Sequence, residues 1–87
     1  MEFALSQNYP NPFNPTTEIS FSLAQATHVK LEIFNIMGQK VVAPVNRHLE
    51  AGHHSIAWDG SSLSSGVYFY RIQAGDFVDT KKMVLLK

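Results

Sequence analysis

The stretch SGVYFYRIQAGDF (Ser65–Phe77), followed by VDTKKMVLLK (Val78–Lys87), decides the fold of this chain. Aromatic and β-branched residues lie on both sides of Gly75-Asp76, which is typical of a β-hairpin with a two-residue turn. We therefore predict antiparallel strands over residues 66–74 and 77–86. The second strand would reach the last residues of the sequence, so these residues would belong to the folded body.

The length of the turn sets the register of this hairpin. A two-residue turn pairs Ala74 with Phe77 and places Tyr68 opposite Met83. A longer turn would shift the pairing by one residue and move the side chains of one arm to the other face of the sheet. We adopt the two-residue turn as the prediction.

The composition describes one small domain without an obvious charged partner. In a chain of 87 residues only about 60–65% of the unfolded surface can be buried, so the six Phe, three Tyr and one Trp must supply much of the core. Seven basic residues balance seven acidic ones, which predicts binding neither to nucleic acid nor to an anionic membrane. There is no cysteine, so neither disulfides nor thiolate-bound metal can stabilise the fold.

Alternating apolar residues predict further strands upstream of the hairpin. The alternation covers residues 17–23, 29–34, 40–45 and 53–58, separated by turn residues. Pro44 cannot donate to a ladder, so the strand that contains it should lie at an edge or end there. Six or seven short strands predict an all-β fold, an immunoglobulin-like antiparallel β-sandwich. The predicted core consists of Ile19, Phe21, Leu23, Val29, Leu31, Ile33, Ile56, Trp58, Tyr68, Tyr70 and Ile72.

A proline-rich segment precedes the first of these strands. Residues 8–15 hold three of the four prolines, which favours a stiff, polyproline-like lead-in. Its apolar residues, Tyr9 and Phe13, indicate that the segment lies against the domain. We interpret residues 1–7 as a leader, beginning with an initiator methionine and a cloning junction, and residues 8–87 as the domain.

No arrangement of polar residues predicts catalysis or a metal site. His53 and His54 are adjacent on a strand and therefore point to opposite faces. A site formed by His48, His54 and Asp59 needs several coincidences, and His28 has no partner at a useful spacing, so surface and turn positions are the preferred interpretation. The serines of residues 61–65 form a flexible loop rather than the strained turn that a nucleophile requires.

The same region raises two binding alternatives. Asp59 and Gly60 could begin a calcium loop, but the further acidic residues of such loops are missing, and a turn is the simpler interpretation. Trp58, Tyr68 and Tyr70 could form a platform for sugar rings. Their alternation with aliphatic residues favours a core instead, so a carbohydrate-binding module is kept as an alternative.

Several short motifs, taken in order, resemble the type A C-terminal sorting domain of the type IX secretion system. The resemblance begins with Asn8-Tyr9-Pro10-Asn11-Pro12-Phe13-Asn14-Pro15 and extends over essentially everything after about residue 5. Each motif is weak alone, but the ordered set is specific. The further motifs are Val29 to Gly38, Leu49-Glu50-Ala51-Gly52, Trp58-Asp59-Gly60, Ser65-Gly66-Val67-Tyr68 and Thr80 to Lys87.

The resemblance implies a non-catalytic immunoglobulin-like domain that follows a cargo domain in proteins of Bacteroidetes-type bacteria. It implies that the parent protein passes through the periplasm and reaches the cell surface or the medium. The implied partners are the outer-membrane translocation machinery and a sortase-like C-terminal signal peptidase; no cofactor, nucleic acid or small-molecule substrate is implied. By this resemblance, the residues expected to carry recognition are Gly66, Val67, Tyr68, Lys82, Met83, Val84, Leu85, Leu86 and Lys87.

The chain is also similar to the immunoglobulin-like domain of the flagellar hook-capping protein. That similarity leaves open a second interpretation, a structural spacer without a sorting role. The sequence KMVLLK (Lys82–Lys87) at the end of the chain favours the sorting interpretation.

Overall fold

Seven antiparallel strands in two sheets make up the fold of this protein. The computed structural model describes residues 2–87, and no part of that range is helical or could cross a membrane as a helix. One sheet has the order β1-β2-β5 and the other has the order β4-β3-β6-β7. The immunoglobulin-like sandwich is thereby confirmed. The strands are β1 (Ala4–Leu5), β2 (Thr16–Leu23), β3 (Thr27–Phe34), β4 (Lys40–Leu49), β5 (Gly52–Asp59), β6 (Gly66–Ala74) and β7 (Phe77–Leu85).

The β6–β7 hairpin has the register predicted from its two-residue turn. Ala74 pairs with Phe77 and Tyr68 pairs with Met83. Gly75 has φ of +60°, a left-handed conformation that glycine adopts without steric cost. The turn chemistry therefore sets which face of each arm is buried, and the predicted register is confirmed.

The core lies between the two sheets, where alternate side chains of both sheets meet. Of the predicted core residues, all but Ile56 are buried, and Ile56 is half-buried against the others. Six buried apolar residues are absent from the predicted core, although Phe13 was expected to lie against the domain. These are Leu5, Phe13, Val45, Ala74, Met83 and Leu85.

Strand β4 is longer than its sequence pattern predicts. Pro44 does lie on an edge strand, as predicted, but the strand continues beyond it to Leu49. Pairing shifts between Leu31 with Val45 and Ile33 with Val42, so two residues of β4 bulge opposite one of β3. A bulge on an edge accommodates a residue that has no amide hydrogen, which is why the proline does not end the strand.

The lead-in is bent and packs on both sheets. Tyr9 forms a bridge with Glu18 of β2, and Phe13 forms a parallel bridge with Leu85 of β7. Phe13 is buried as expected, whereas Tyr9 is 72% exposed, so its predicted apolar role is wrong. The chain bends at residues 10–12 and 14–15, so the lead-in is not the stiff, extended segment that was predicted.

Part of the predicted leader also packs on the sandwich. Leu5 of β1 is buried, and the Phe3 ring stacks on Phe77 with 5.6 Å between ring centroids. Met1, which was assigned to the leader, lies outside the described residues.

Candidate recognition surface

The two stretches predicted to carry recognition lie side by side in one ladder. Gly66 pairs with Leu85, Val67 with Val84, and Tyr68 with Met83 at the end of the β6–β7 hairpin. Residues that are 15 to 19 positions apart in sequence thus form one continuous surface. We call the set Gly66–Tyr68 and Lys82–Lys87 the terminal ladder.

Only part of the terminal ladder can touch another molecule. Tyr68, Met83 and Leu85 are core residues, with exposed fractions of 8%, 0% and 0%. These three can influence recognition only through the shape of the fold. The accessible members are the exposed Lys82, Leu86 and Lys87 and the half-buried Gly66, Val67 and Val84.

Residues 7–13, which we call the strap, run along the outer edge of β7. The Phe13 amide donates to the Val84 carbonyl, and the Leu86 amide donates to the Phe13 carbonyl, both at 2.9 Å. The Val84 amide donates to Oδ1 of Asn11 at 3.0 Å, and Nε2 of Gln7 donates to the Lys82 carbonyl at 2.7 Å. The edge of the last strand is therefore not free for strand addition over residues 82–86, since the chain's own strap occupies it.

The hydroxyl of Tyr70 fastens the strap to the four-stranded sheet. This oxygen accepts a hydrogen bond from the Asn8 amide at 2.8 Å and donates one to the Ser6 carbonyl at 2.7 Å. Tyr70 is completely buried, and burial raises the pKa of its hydroxyl to about 12, although the Asn8 amide acts in the opposite direction. The hydroxyl therefore stays protonated and continues to donate at any ordinary pH.

A buried asparagine holds the bend of the strap. Nδ2 of Asn8 donates to Oγ1 of Thr17 at 3.0 Å and to the Pro10 carbonyl at 3.2 Å. The Thr17 hydroxyl donates to the same Pro10 carbonyl at 2.9 Å. Asn8 and Thr17 are both 2% exposed. The bend is consequently a fixed structure and not a loose connection.

The far end of the tail is held by the serine-rich loop. The Lys87 amide donates to Oγ of Ser65 at 3.0 Å, and the Lys87 ammonium donates to the Ser61 carbonyl. The Tyr68 hydroxyl donates to the Ser64 carbonyl at 2.8 Å. The loop predicted to be a flexible connector thus contacts Tyr68 on β6 and Lys87 beyond the end of β7.

Histidines do not gather into a metal site. His48 lies on β4 and His54 on β5, which belong to different sheets, and no group of three metal-binding side chains occurs within residues 2–87. His28 does have a histidine neighbour, contrary to expectation, since it pairs with His48 across β3 and β4. Nε2 of His28 lies 2.7 Å from Oδ1 of Asn46, so this pair belongs to an exposed polar cluster.

The serine, histidine and aspartate residues near the loop do not form a catalytic triad. His54 and Asp59 are five positions apart on β5, about 16 Å along a strand. His54 contacts the Glu50 carbonyl instead, and Oδ1 of Asp59 accepts from the Ser61 amide at 2.8 Å. That hydrogen bond lowers the pKa of Asp59 and closes a turn, which is the simpler interpretation of Asp59-Gly60.

The three rings considered as a sugar platform are turned into the core. Trp58 is 9% exposed, Tyr68 is 8% exposed and Tyr70 is inaccessible. Trp58 packs against Phe13, with 5.9 Å between ring centroids. A sugar ring cannot stack on faces that other side chains cover.

Comparison with known proteins identifies one family. The sequence model described as "Secretion system C-terminal sorting domain" matches residues 7–86, a range that spans both the strap and nearly all of the terminal ladder. No curated protein matches this chain.

Proposed function

This chain belongs to the family of C-terminal sorting domains of the type IX secretion system, and we propose that the terminal ladder with its strap is the surface that the export machinery reads. The family assignment makes the domain a sorting signal for export across the outer membrane. The family is in general non-catalytic. The domain thus directs another part of its parent protein.

A rigid terminal ladder supports the proposed recognition. The strap contacts the ladder through four hydrogen bonds between residues 7–13 and 82–86. A preformed surface loses less conformational freedom on binding than a mobile tail would. Lys82, Leu86 and Lys87 then supply accessible charge and apolar area at fixed positions.

The partners follow from this role. The surface would be bound by the outer-membrane translocation machinery after the parent protein reaches the periplasm. A cargo domain would precede the sorting domain in the parent chain. We further propose that a sortase-like C-terminal signal peptidase removes the domain when the cargo reaches the cell surface or the medium.

Export of a reporter tests this proposal. The domain is fused behind a periplasmic reporter with an N-terminal signal peptide, in a host with a working type IX system. The expected result is reporter in the medium or on the surface. The triple variant Lys82→Gln, Leu86→Ser, Lys87→Gln should leave the reporter in the periplasm, because it removes accessible groups and leaves the core intact.

Two controls separate recognition from folding. Deletion of residues 83–87 also blocks export in our account, but it removes the buried Met83 and Leu85 and so destroys the fold. Lys30→Gln removes a cation on β3, outside the terminal ladder, and should be exported normally. If the triple variant folds and is exported as well as the unaltered domain, the proposed surface is contradicted. If the unaltered domain does not export the reporter, the sorting role is contradicted, and this is the result that the spacer interpretation predicts.

A further inference from the structure

The two sheets of this neutral chain carry opposite charge. Strands β3, β4, β6 and β7 hold six of the seven Lys and Arg residues, whereas β1, β2 and β5 hold none. The four-stranded sheet has only two carboxylates, Glu32 and Asp79, and the three-stranded sheet has Glu18 and Asp59. The chain as a whole has no net charge, but its four-stranded sheet is basic. The balanced composition therefore does not argue against a partner that binds this sheet by charge.

Four of these six basic residues lie on the outer face of the sheet, around two aromatic rings; they are Lys30, Lys40, Arg71 and Lys82. Across the sheet, Lys40 pairs with Phe34, Phe34 with Phe69, and Phe69 with Lys82. Two lysines thus lie at the ends of one row, with a pair of half-buried phenylalanines between them. Three strand spacings of about 4.8 Å separate the end strands by about 14 Å.

The next row contains one carboxylate and one guanidinium. Nη2 of Arg71 lies 3.1 Å from Oε1 of Glu32, and Nζ of Lys40 lies 3.4 Å from Oε2. Burial alone would raise the pKa of Glu32, but hydrogen bonds from Arg71 and Lys40 and the charge of Lys30 together lower it. The only carboxylate of this face is therefore already neutralised, and Lys30 and Lys82 make no ion pair within residues 2–87.

A cleft of about 260 Å³ opens between these rows, lined by Phe34, Gly38, Phe69, Arg71 and Thr80. The Arg71 guanidinium lies 4.9 Å from the centre of the Phe34 ring and covers its outer side. A nucleobase could not stack on that ring. The cleft instead combines an apolar floor with a cation and the hydroxyl of Thr80.

An apolar hairpin tip borders the cleft beside Gly38. Ile36 and Met37 are 73% and 80% exposed, although the turn is tightly built. Oδ1 of Asn35 accepts from the amides of Met37 and Gln39 at 2.9 and 3.0 Å. These two side chains extend the apolar surface beside the cleft.

From these features we propose that the outer face of the four-stranded sheet binds an acidic, extended peptide segment of a partner protein. Carboxylates would pair with Lys82 on β7 and with Lys40 on β4, and Arg71 of β6 and an apolar side chain over Phe69 would lie between these two ends. At about 3.3 Å per residue, two carboxylates four positions apart match the separation of the two end strands. This proposal does not depend on the sorting role and shares only Lys82 with the terminal ladder.

Fluorescence anisotropy with the whole chain tests the proposal. The probe is a labelled peptide with two aspartates four positions apart and a leucine between them, and the control peptide carries asparagines instead. The aspartate peptide should bind, the asparagine peptide should not, and binding should weaken as salt rises. Lys82→Gln should weaken binding about two- to five-fold, in line with the loss of one exposed ion pair.

Lys81→Gln provides the matched control, because Lys81 adjoins Lys82 on β7 but pairs with the buried Tyr70 and faces the other side of the sheet. It should bind the peptide as the unaltered chain does. Arg71→Lys keeps the charge but loses the forked geometry of the guanidinium, so it should weaken binding further than Lys82→Gln. Equal binding of both peptides, equal effects of the two Lys→Gln changes, or tighter binding of a single-stranded oligonucleotide would overturn the proposal.

Discussion

Removing one oxygen atom, by Tyr70→Phe, should loosen the strap and destabilise the whole domain. The change keeps the ring that fills the core but removes hydrogen bonds to the Asn8 amide and the Ser6 carbonyl. Asn8 is 2% exposed, so its amide would be left buried without a partner. Ser6 is exposed, and water can replace its lost bond.

The expected loss of stability follows from the burial of the Asn8 amide and the exposure of Ser6. An unsatisfied buried donor costs about 1–3 kcal/mol, and a bond that water replaces costs about 0.5 kcal/mol, so we expect a loss of about 2 kcal/mol. In a domain of this size each kcal/mol shifts the melting temperature by about 4–8 °C, which predicts a decrease of about 10 °C. Thermal melts followed by circular dichroism, with urea unfolding as a second measurement, provide the assay.

Tyr9→Phe is the matched control, because Tyr9 lies on the same strap but is 72% exposed. It should melt with the unaltered domain. If Tyr70→Phe melts within about 2 °C of the unaltered domain, the hydroxyl does not hold the strap, and our reasoning on that contact is refuted.

Three further predictions concern the core and the two groups with shifted pKa values. Trp58→Ala should lower the free energy of unfolding by about 3–5 kcal/mol in urea titrations, since the ring is 9% exposed and packs on Phe13; a loss below about 1 kcal/mol would argue against this packing. Because the folded state lowers the pKa of Glu32, its stabilising effect is present above the ordinary value of 4.5 and is lost as pH falls through the folded value. The stability of Glu32→Gln should therefore decline less between about pH 5 and pH 3 than that of the unaltered chain. If the two proteins lose stability equally over this range, the ion pairs of Glu32 with Arg71 and Lys40 do not stabilise the fold. The raised pKa of Tyr70 predicts a loss of stability in alkali instead. Its contribution to the free energy of unfolding is intact below pH 10.0 and falls as pH rises through about 12, by up to about 3 kcal/mol in all. Tyr70→Phe should remove that part of the decline.

Local patterns in this sequence predicted most of the fold. Gly75-Asp76 predicted the hairpin register, because a two-residue turn leaves one way to pair the arms. Alternation predicted which faces of β2, β3 and β5 are buried. Pairing of Gly66–Tyr68 with the tail followed from the same turn, so this part of the candidate site was predictable.

The strap was not predictable in the same way. Its contacts join residues more than sixty positions apart, such as Asn8 with Tyr70, and they depend on single polar atoms that leave no periodic pattern. Glu32 alternates with Leu31 and Ile33, a pattern that places it on the outer face of the sheet, where a charged side chain is ordinarily exposed. It is buried on the outer face because Arg71 and Lys40 converge on it from neighbouring strands, and only the pairing of β3 with β4 and β6 reveals that.

Native-state amide hydrogen exchange measured by NMR tests the central claim most directly. We claim that the strap locks the carboxyl-terminal strand into the folded body, and this fixed strand is part of the surface that we propose the export machinery reads. The Phe13, Val84 and Leu86 amides, which donate within the strap and the tail, should then exchange as slowly as amides in the middle of β6. Rapid exchange at these three positions, with slow exchange retained in β6, would show that the tail opens freely and would contradict the account.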